Sequence, residues 1–263
     1  MIFPLYIFRI ILFVGLTIFY SQCAKKSYEE NQWIQLWLAY LMTNVNHTYI
    51  IPLYSYPIGT YENEWIKLYN LKTNKKVFVI INPNNGPGSN VDTNFVFAIH
   101  SLKNNNFKVI GYVYTSYSNR NISDIKLDID NYLNFYGNPN IDGFFLDEVS
   151  NNTNTFSFYQ NITDYIKSKN KLVILNPGSD IPSDFFYFAN KIIVFENSYG
   201  FFINYGFPDY GMNLDKTCSI IYDTLPNQVS IVISKLNQHG IDCYYILDGD
   251  NNTGYFKLSP YLD

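Results

Sequence analysis

The chain has 263 residues, 47% hydrophobic and 19% aromatic, and only 15% of them carry charge. That is ample core material for one large α/β domain and far from a disordered composition. A net charge of −4 offers no basic footprint for nucleic acid, so a nucleic-acid partner is not expected.

Residues 1–24 read as a signal peptide. Arg9 precedes the apolar run IILFVGLTIF (10–19), and Ser21-Gln22-Cys23-Ala24 supplies small or polar residues for cleavage after Ala24. An uncleaved membrane anchor is the other reading. No later run approaches the roughly 18 apolar residues of a membrane span, so no membrane association is expected after cleavage. Cleavage removes Arg9 alone, leaving 17 Lys+Arg against 22 Asp+Glu, a balance of −5. Residues 25–48 form an N-terminal extension. A secreted, extracellular or wall-associated protein is expected.

From residue 49 onward, short β-branched or aromatic runs alternate with longer amphipathic stretches. The runs are YIIPLY (49–54), VFVIIN (77–82), VIGYVYT (109–115), GFFLD (143–147), LVILN (172–176), IIVFE (192–196), SIIYD (219–223) and YYILD (244–248). Helices are expected over 64–71, 91–104, 123–135, 155–169, 183–190 and 228–239, with Asp92, Ser123 and Ser183 as N-caps. Residues 197–217 (NSYGFFINYGFPDYGMNLDKT) read as a long aromatic loop with a short helix over one end of the domain. Near-continuous hydrophobic strands alternating with helices imply a parallel sheet buried on both faces. Closed into a ring, residues 49–263 make a single-domain α/β fold, a (β/α)8 TIM-type barrel. A doubly wound open sheet is the alternative, weakened because no G-x-G-x-x-G follows the first strand.

In such a barrel the strand C-termini converge on the functional face. Here the runs end in Asn82, Thr115, Asp147 with Glu148, Asn176, Glu196 and Asp248. Taken singly, each acid reads as a turn or cap residue. Together with amides and tyrosines, they suit acid–base work on a neutral, hydroxyl-rich substrate. Other chemistries lack their residues. His47, His100 and His239 form no metal-binding pattern, and no G-x-S-x-G elbow occurs. NPNNGPG (82–88) lacks the Lys-Ser/Thr of a phosphate loop. DGDNNTG (248–254) departs from a calcium loop in its late glycine, Gly254, and in Ser259 at the last ligand position. No metal or other cofactor is expected.

Cleavage leaves Arg120 as the sole arginine. It either orients an acid or is solvated in its loop. Cys218 and Cys243 flank the last two strands, and a secretory route permits a disulfide between them. Two buried thiols are the other reading. Glycosylation sequons begin at Asn46, Asn121, Asn151, Asn161 and Asn251, a number near chance in so Asn-rich a chain.

NPNNGPG (82–88), GYVYTSYSNR (111–120), IDGFFLDEV (141–149), ILNPG (174–178) and VFEN (194–197) resemble the spherulin-4 family. PLYSYP (52–57) and GYFKLSPYLD (254–263) match it too. The resemblance implies a secreted (β/α)8 glycoside hydrolase acting on polymers of α-1,4-linked N-acetylgalactosamine. It places the functional acids on Asp147, Glu148 and Glu196. The family also holds wall and encystment proteins, so polysaccharide binding without turnover is the alternative. Ser118 stands where glycine is usual, and Leu262-Asp263 replaces Tyr-Trp. A chitinase-type barrel would need acids at Phe145 and Val149. On this reading Asp147 is the nucleophile or charge stabiliser and Glu196 the general acid/base, with a lean towards retention of configuration. Glu148 supports one of them or contacts substrate. Tyr54, Asn82, Tyr112, Tyr117, Arg120, Asn176 and Asp248 form the substrate-binding shell. The expected partner is a polysaccharide or amino-sugar oligosaccharide, bound by a monomer.

Overall fold

Eight parallel strands close into a ring in chain order. They are β1 (Thr48–Leu53), β2 (Lys76–Ile81), β3 (Lys108–Tyr114), β4 (Gly143–Asp147), β5 (Leu172–Leu175), β6 (Lys191–Ser198), β7 (Thr217–Tyr222) and β8 (Cys243–Ile246). The structure, a computed structural model, describes residues 47–262. The expected signal peptide, residues 25–46 and the sequon at Asn46 lie outside the described residues. Closure rests on Thr48↔Cys243 and Tyr49↔Tyr244 between β1 and β8, which rules out the open sheet. The fold is therefore the expected (β/α)8 barrel.

The strands form because their residues are β-branched or aromatic and apolar on both faces, as a doubly covered sheet requires. VFVII of β2 and YIIPL of β1 are buried throughout. Inside the ring, Tyr112 of β3 stacks on Phe145 of β4 at 6.2 Å. Outside run α1 (Glu62–Tyr69), α2 (Thr93–Asn104), α3 (Ile122–Tyr136), α4 (Phe156–Ser168), α5 (Tyr199–Phe202) and α6 (Val229–Gln238). Asp92 caps α2, its Oδ1 accepting from the N–H groups of Asn94 and Phe95 at 2.9 and 3.2 Å.

Three sequence expectations shift. Asn121, not Ser123, precedes α3 as its N-cap residue. The stretch 183–190 forms only a 3-10 turn, Ser183–Tyr187, entered from Pro182. Phe185, Phe186 and Phe188 are all buried there. Strands β1, β2, β3, β5, β7 and β8 end one or two residues early, so Tyr54, Asn82, Thr115, Asn176, Asp223 and Asp248 fall in the following loops.

Gly143 sets the approach of β5 to β4. A Cβ there would stand 2.6 Å from both Cβ and the carbonyl oxygen of Leu172. Backbone cannot yield cheaply, so Gly143→Ala is expected to cost about 1–3 kcal/mol, read as a lower urea midpoint. Gly206→Ala is the control, because nothing lies within 4 Å of that position. Equal midpoints for the two variants would contradict this packing.

Candidate active site

Strand β4 ends at Asp147, β6 carries Glu196, and Asn176 opens the loop after β5 between them. Asn176 Nδ2 donates to Asp147 Oδ1 at 2.8 Å and to Glu196 Oε2 at 2.7 Å. One nitrogen thus holds both carboxylates. The amide is itself fixed. Its backbone N–H donates to the Leu146 carbonyl, its own carbonyl accepts from Val149, and its Oδ1 accepts from the Gly178 N–H. Gly178 has a φ of +64°, and a Cβ there would stand 3.9 Å from Glu196 Oε2.

Phenols complete the cluster. The Tyr255 hydroxyl donates to Glu196 Oε1 at 2.5 Å. The Tyr112 hydroxyl and the Glu148 N–H lie near the Asp147 carboxylate and favour its ionised form. The Tyr54 ring meets Tyr112 edge-on at 5.4 Å and leans on Tyr255 at 5.6 Å. Phe145 and Leu146 beneath are fully buried, so Asp147 rests on a rigid floor.

Asp147 and Glu148 are adjacent yet differently used. Glu148 has a φ of +53°, the left-handed region that non-glycine residues seldom occupy. Its N–H favours the ionised Asp147 carboxylate. The Glu148 carbonyl accepts from Thr115 Oγ1 and from the Tyr117 N–H, both at 2.8 Å. Ser116, Tyr117 and Ser118 are left-handed in succession, with φ of 50°, 53° and 72°. The rim between β3 and β4 is therefore a strained backbone turn held from below by Thr115. The Glu148 carboxylate takes no part in the network centred on Asn176.

The electrostatics separate the two central acids. Burial pushes both carboxyl pKa values up. For Asp147 this is opposed by three donors: the Glu148 N–H, Tyr112 and Asn176. For Glu196 burial is reinforced by the negative charge of Asp147 and opposed only by Tyr255 and Asn176. Glu196 is thus the better holder of a proton while Asp147 is ionised. Burial, with the field of the two acids, holds the Tyr54, Tyr112 and Tyr255 hydroxyls protonated as donors.

This has a consequence for stability. A carboxyl whose pKa is raised by folding binds its proton more tightly in the folded state. Its stabilising contribution is complete below the unfolded value of about 4 and is lost as pH rises through the raised one. Gln cannot ionise. The melting temperature of Glu196→Gln minus that of the wild type should therefore increase between about pH 4 and pH 7. A pH-independent difference would show that Glu196 is not desolvated.

The other shell residues are spread more widely. Tyr117 is 59% exposed on the rim. Asn82 Oδ1 accepts from the Gly86 N–H at 2.9 Å and so braces the NPNNGPG loop. Arg120 does orient an acid, but that acid is Asp128 of α3, at 2.6 Å. Its guanidinium lies over the Tyr114 ring and donates to the Tyr114 carbonyl, so it meets the site only through β3. Asp248 is exposed in the bend beyond β8. In the DGDNNTG stretch, Asp250 Oδ1 accepts from the N–H groups of Asn252 and Thr253, which makes a turn. No cluster of His, Cys, Asp or Glu able to hold a metal occurs among the described residues.

With this geometry in place, comparison with known proteins is decisive for kinship. The family profile described as Spherulation-specific family 4 matches residues 48–263. The chain belongs to that family. It is 35% identical to Spherulin-4 of Physarum polycephalum over 184 residues, covering 64% of this chain and 54% of that protein. The match thus spans about half the length of that curated relative. The solved structure of Aspergillus clavatus Sph3 in complex with GalNAc superposes with a TM-score of 0.71 at 24% identity. That superposition covers 82% of this chain and 94% of Sph3, and it bears on the fold.

The motifs that resemble spherulation-specific family 4 now have physical content. Ser118 has a φ of +72°, a conformation glycine adopts at no steric cost, which accounts for the glycine usual there. ILNPG supplies Asn176 and the turn at Gly178. GYFKLSPYLD supplies Tyr255, which the reading of strand ends missed. Tyr255 sits in the 3-10 turn Gly254–Phe256 beyond β8, and its carbonyl accepts from the Tyr54 N–H at 2.8 Å. Its signal was present only in that motif.

Proposed function

We propose that this chain is a secreted glycoside hydrolase that cuts within polymers of α-1,4-linked N-acetylgalactosamine. The observation that carries the reading is the pair of desolvated carboxyls at the barrel's C-terminal face, both bonded to one nitrogen of Asn176. Donor–acceptor distances of 2.8 and 2.7 Å from that nitrogen limit the two acceptor oxygens to a separation of about 5.5 Å. Retaining glycosidases hold their carboxyls about 5–5.5 Å apart, which favours retention. That Sph3 was solved with GalNAc supports an amino sugar as the substrate class.

Asp147 attacks the anomeric carbon as a carboxylate, and the glycosidic C–O bond breaks as Glu196 gives its proton to the leaving oxygen. A glycosyl ester on Asp147 results. Glu196, now ionised, takes a proton from water, the resulting hydroxide displaces Asp147, and both acids return to their starting states. The Cys218–Cys243 disulfide supports an oxidising, extracytoplasmic setting, in keeping with the leader.

The test is direct. Purified protein incubated with an α-1,4-linked N-acetylgalactosamine polymer should release reducing ends and soluble oligosaccharides. Retention on the polymer without release would replace this reading with that of a wall or encystment protein that only binds.

A further inference from the structure

Lined in part by Gly178, which also faces Glu196, the structure contains a cavity of about 290 Å³. We infer that it is the subsite for the sugar on the leaving-group side of the scissile bond, an inference that rests on the glycosidase reading above. The cavity lies between the loop after β5, which supplies Gly178 and Asp180, and the end of β6 with α5, which supply Asn197, Phe201 and Tyr205.

Three observations carry this. First, one residue, Gly178, borders both the cavity and the acid assigned to protonate the leaving oxygen. Gly178 lines it and also faces Glu196, where a Cβ would stand 3.9 Å from Oε2. With no side chain at 178, only backbone stands at that position between Glu196 and the cavity. A sugar joined through the oxygen that Glu196 protonates has this space next to it.

Second, the lining has the composition of a pyranose site: an apolar plate with a few polar groups. Phe201 is 68% exposed at the cavity and has no ring partner among the described residues. Such a plate is idle unless something stacks on it. Asp180 supplies the opposing polar wall. Its Oδ1 accepts from the Tyr210 hydroxyl at 2.7 Å, which fixes its position.

Third, the polar wall is anchored rather than loose. Asn197 Oδ1 accepts from Tyr222 at 3.2 Å and from the Ser198 N–H at 2.8 Å, which fixes its amide at the end of β6. Tyr205 packs against Phe195 at 4.9 Å and Phe207 at 4.9 Å, tying the floor to the outer core. The ligand expected is a neutral pyranose presenting one C–H-rich face to Phe201 and hydroxyl or acetamido groups to Asn197 and Asp180.

The test compares two substrates in wild type and Phe201→Ala. One is an α-1,4-linked N-acetylgalactosamine tetrasaccharide. The other is the α-fluoride of N-acetylgalactosamine, whose leaving atom fills no sugar subsite. Phe201→Ala should lower kcat/KM on the tetrasaccharide about tenfold or more while changing that on the fluoride less than about twofold. Phe201 is exposed, so the variant should keep the wild-type melting temperature. Equal effects on both substrates, or none on either, would overturn the subsite. If the wild type hydrolyses neither substrate, the glycosidase reading fails by itself. Calorimetry with the tetrasaccharide then still decides whether the cavity binds sugar, because Phe201→Ala should weaken binding about tenfold and unchanged binding would overturn it. Asn151 also lines the cavity and begins a sequon, so a glycan found on Asn151 of the secreted protein would fill the space and overturn the assignment as well.

Discussion

Glu196→Gln should lower hydrolysis of the amino-sugar polymer by about 10²–10⁴-fold, the range for losing a positioned acid–base group. Asp147→Asn should lose at least as much, because the attacking carboxylate itself is gone. The two losses are distinguishable. An α-glycosyl fluoride needs little help from an acid to depart, so Glu196→Gln should form the glycosyl-enzyme from it at near the wild-type rate. It should then stall at hydrolysis, visible as a burst of one fluoride per enzyme. Asp147→Asn should show no burst and no turnover. Both variants remain close in shape to the wild type. Gln keeps an oxygen to accept from Asn176 and an amide to face Tyr255, and Asn at 147 keeps an oxygen to accept from Asn176. Melting temperatures near or above that of the wild type would therefore show that chemistry, not folding, was lost. A burst from Asp147→Asn would reverse the assigned roles. Near-wild-type turnover by either variant on the polymer would remove the pair from catalysis altogether.

The parts of this site that were legible in the sequence are those that depend on chain direction alone. In a parallel barrel every strand delivers its last residue to the same face, so Asp147, Asn176 and Glu196 could be gathered from their run-ending positions. Their division of labour was read from the family resemblance, but the donors that underlie it come from elsewhere and were not legible. Tyr255 reaches Glu196 from a 3-10 turn that no periodicity announces, 59 residues further along the chain. Glu148 stands beside Asp147 in the sequence, but Asn176 bonds to Asp147, while Glu148 sits in a left-handed turn at φ +53°. Arg120 was readable as a residue that orients an acid, yet the acid belongs to α3, whose packing on β3 depends on the Tyr132 ring lying flat on Gly111. The misread helix at 183–190 has the same origin. Phe185, Phe186 and Phe188 are buried by tertiary packing around a tight turn, and local propensity does not see that packing.

The Cys218–Cys243 bridge should carry the largest share of stability of any single contact in the barrel. Its Cα atoms are 4.5 Å apart, and the two residues are register partners in the β7–β8 ladder. Cys243 is also one of the β8 residues that close the ring against β1. The bridge spans 25 residues, for which the chain-entropy relation gives about 3.5 kcal/mol at 25 °C. For a domain of this size that corresponds to a fall of about 7–14 °C in melting temperature for the Cys218→Ala/Cys243→Ala double variant. Both cysteines are fully buried. Reductant alone should therefore leave the folded wild type intact, whereas urea with reductant should bring its unfolding midpoint down towards that of the double variant. The loss should also be felt at the acids. Tyr255 follows β8 and donates to Glu196, so a loosened β8 weakens the bond that holds the proposed general acid in place. The double variant should then lose activity on warming before it loses secondary structure. If its urea midpoint equals that of the wild type, the bridge does not constrain the barrel, and the seam between β8 and β1 is held by packing alone.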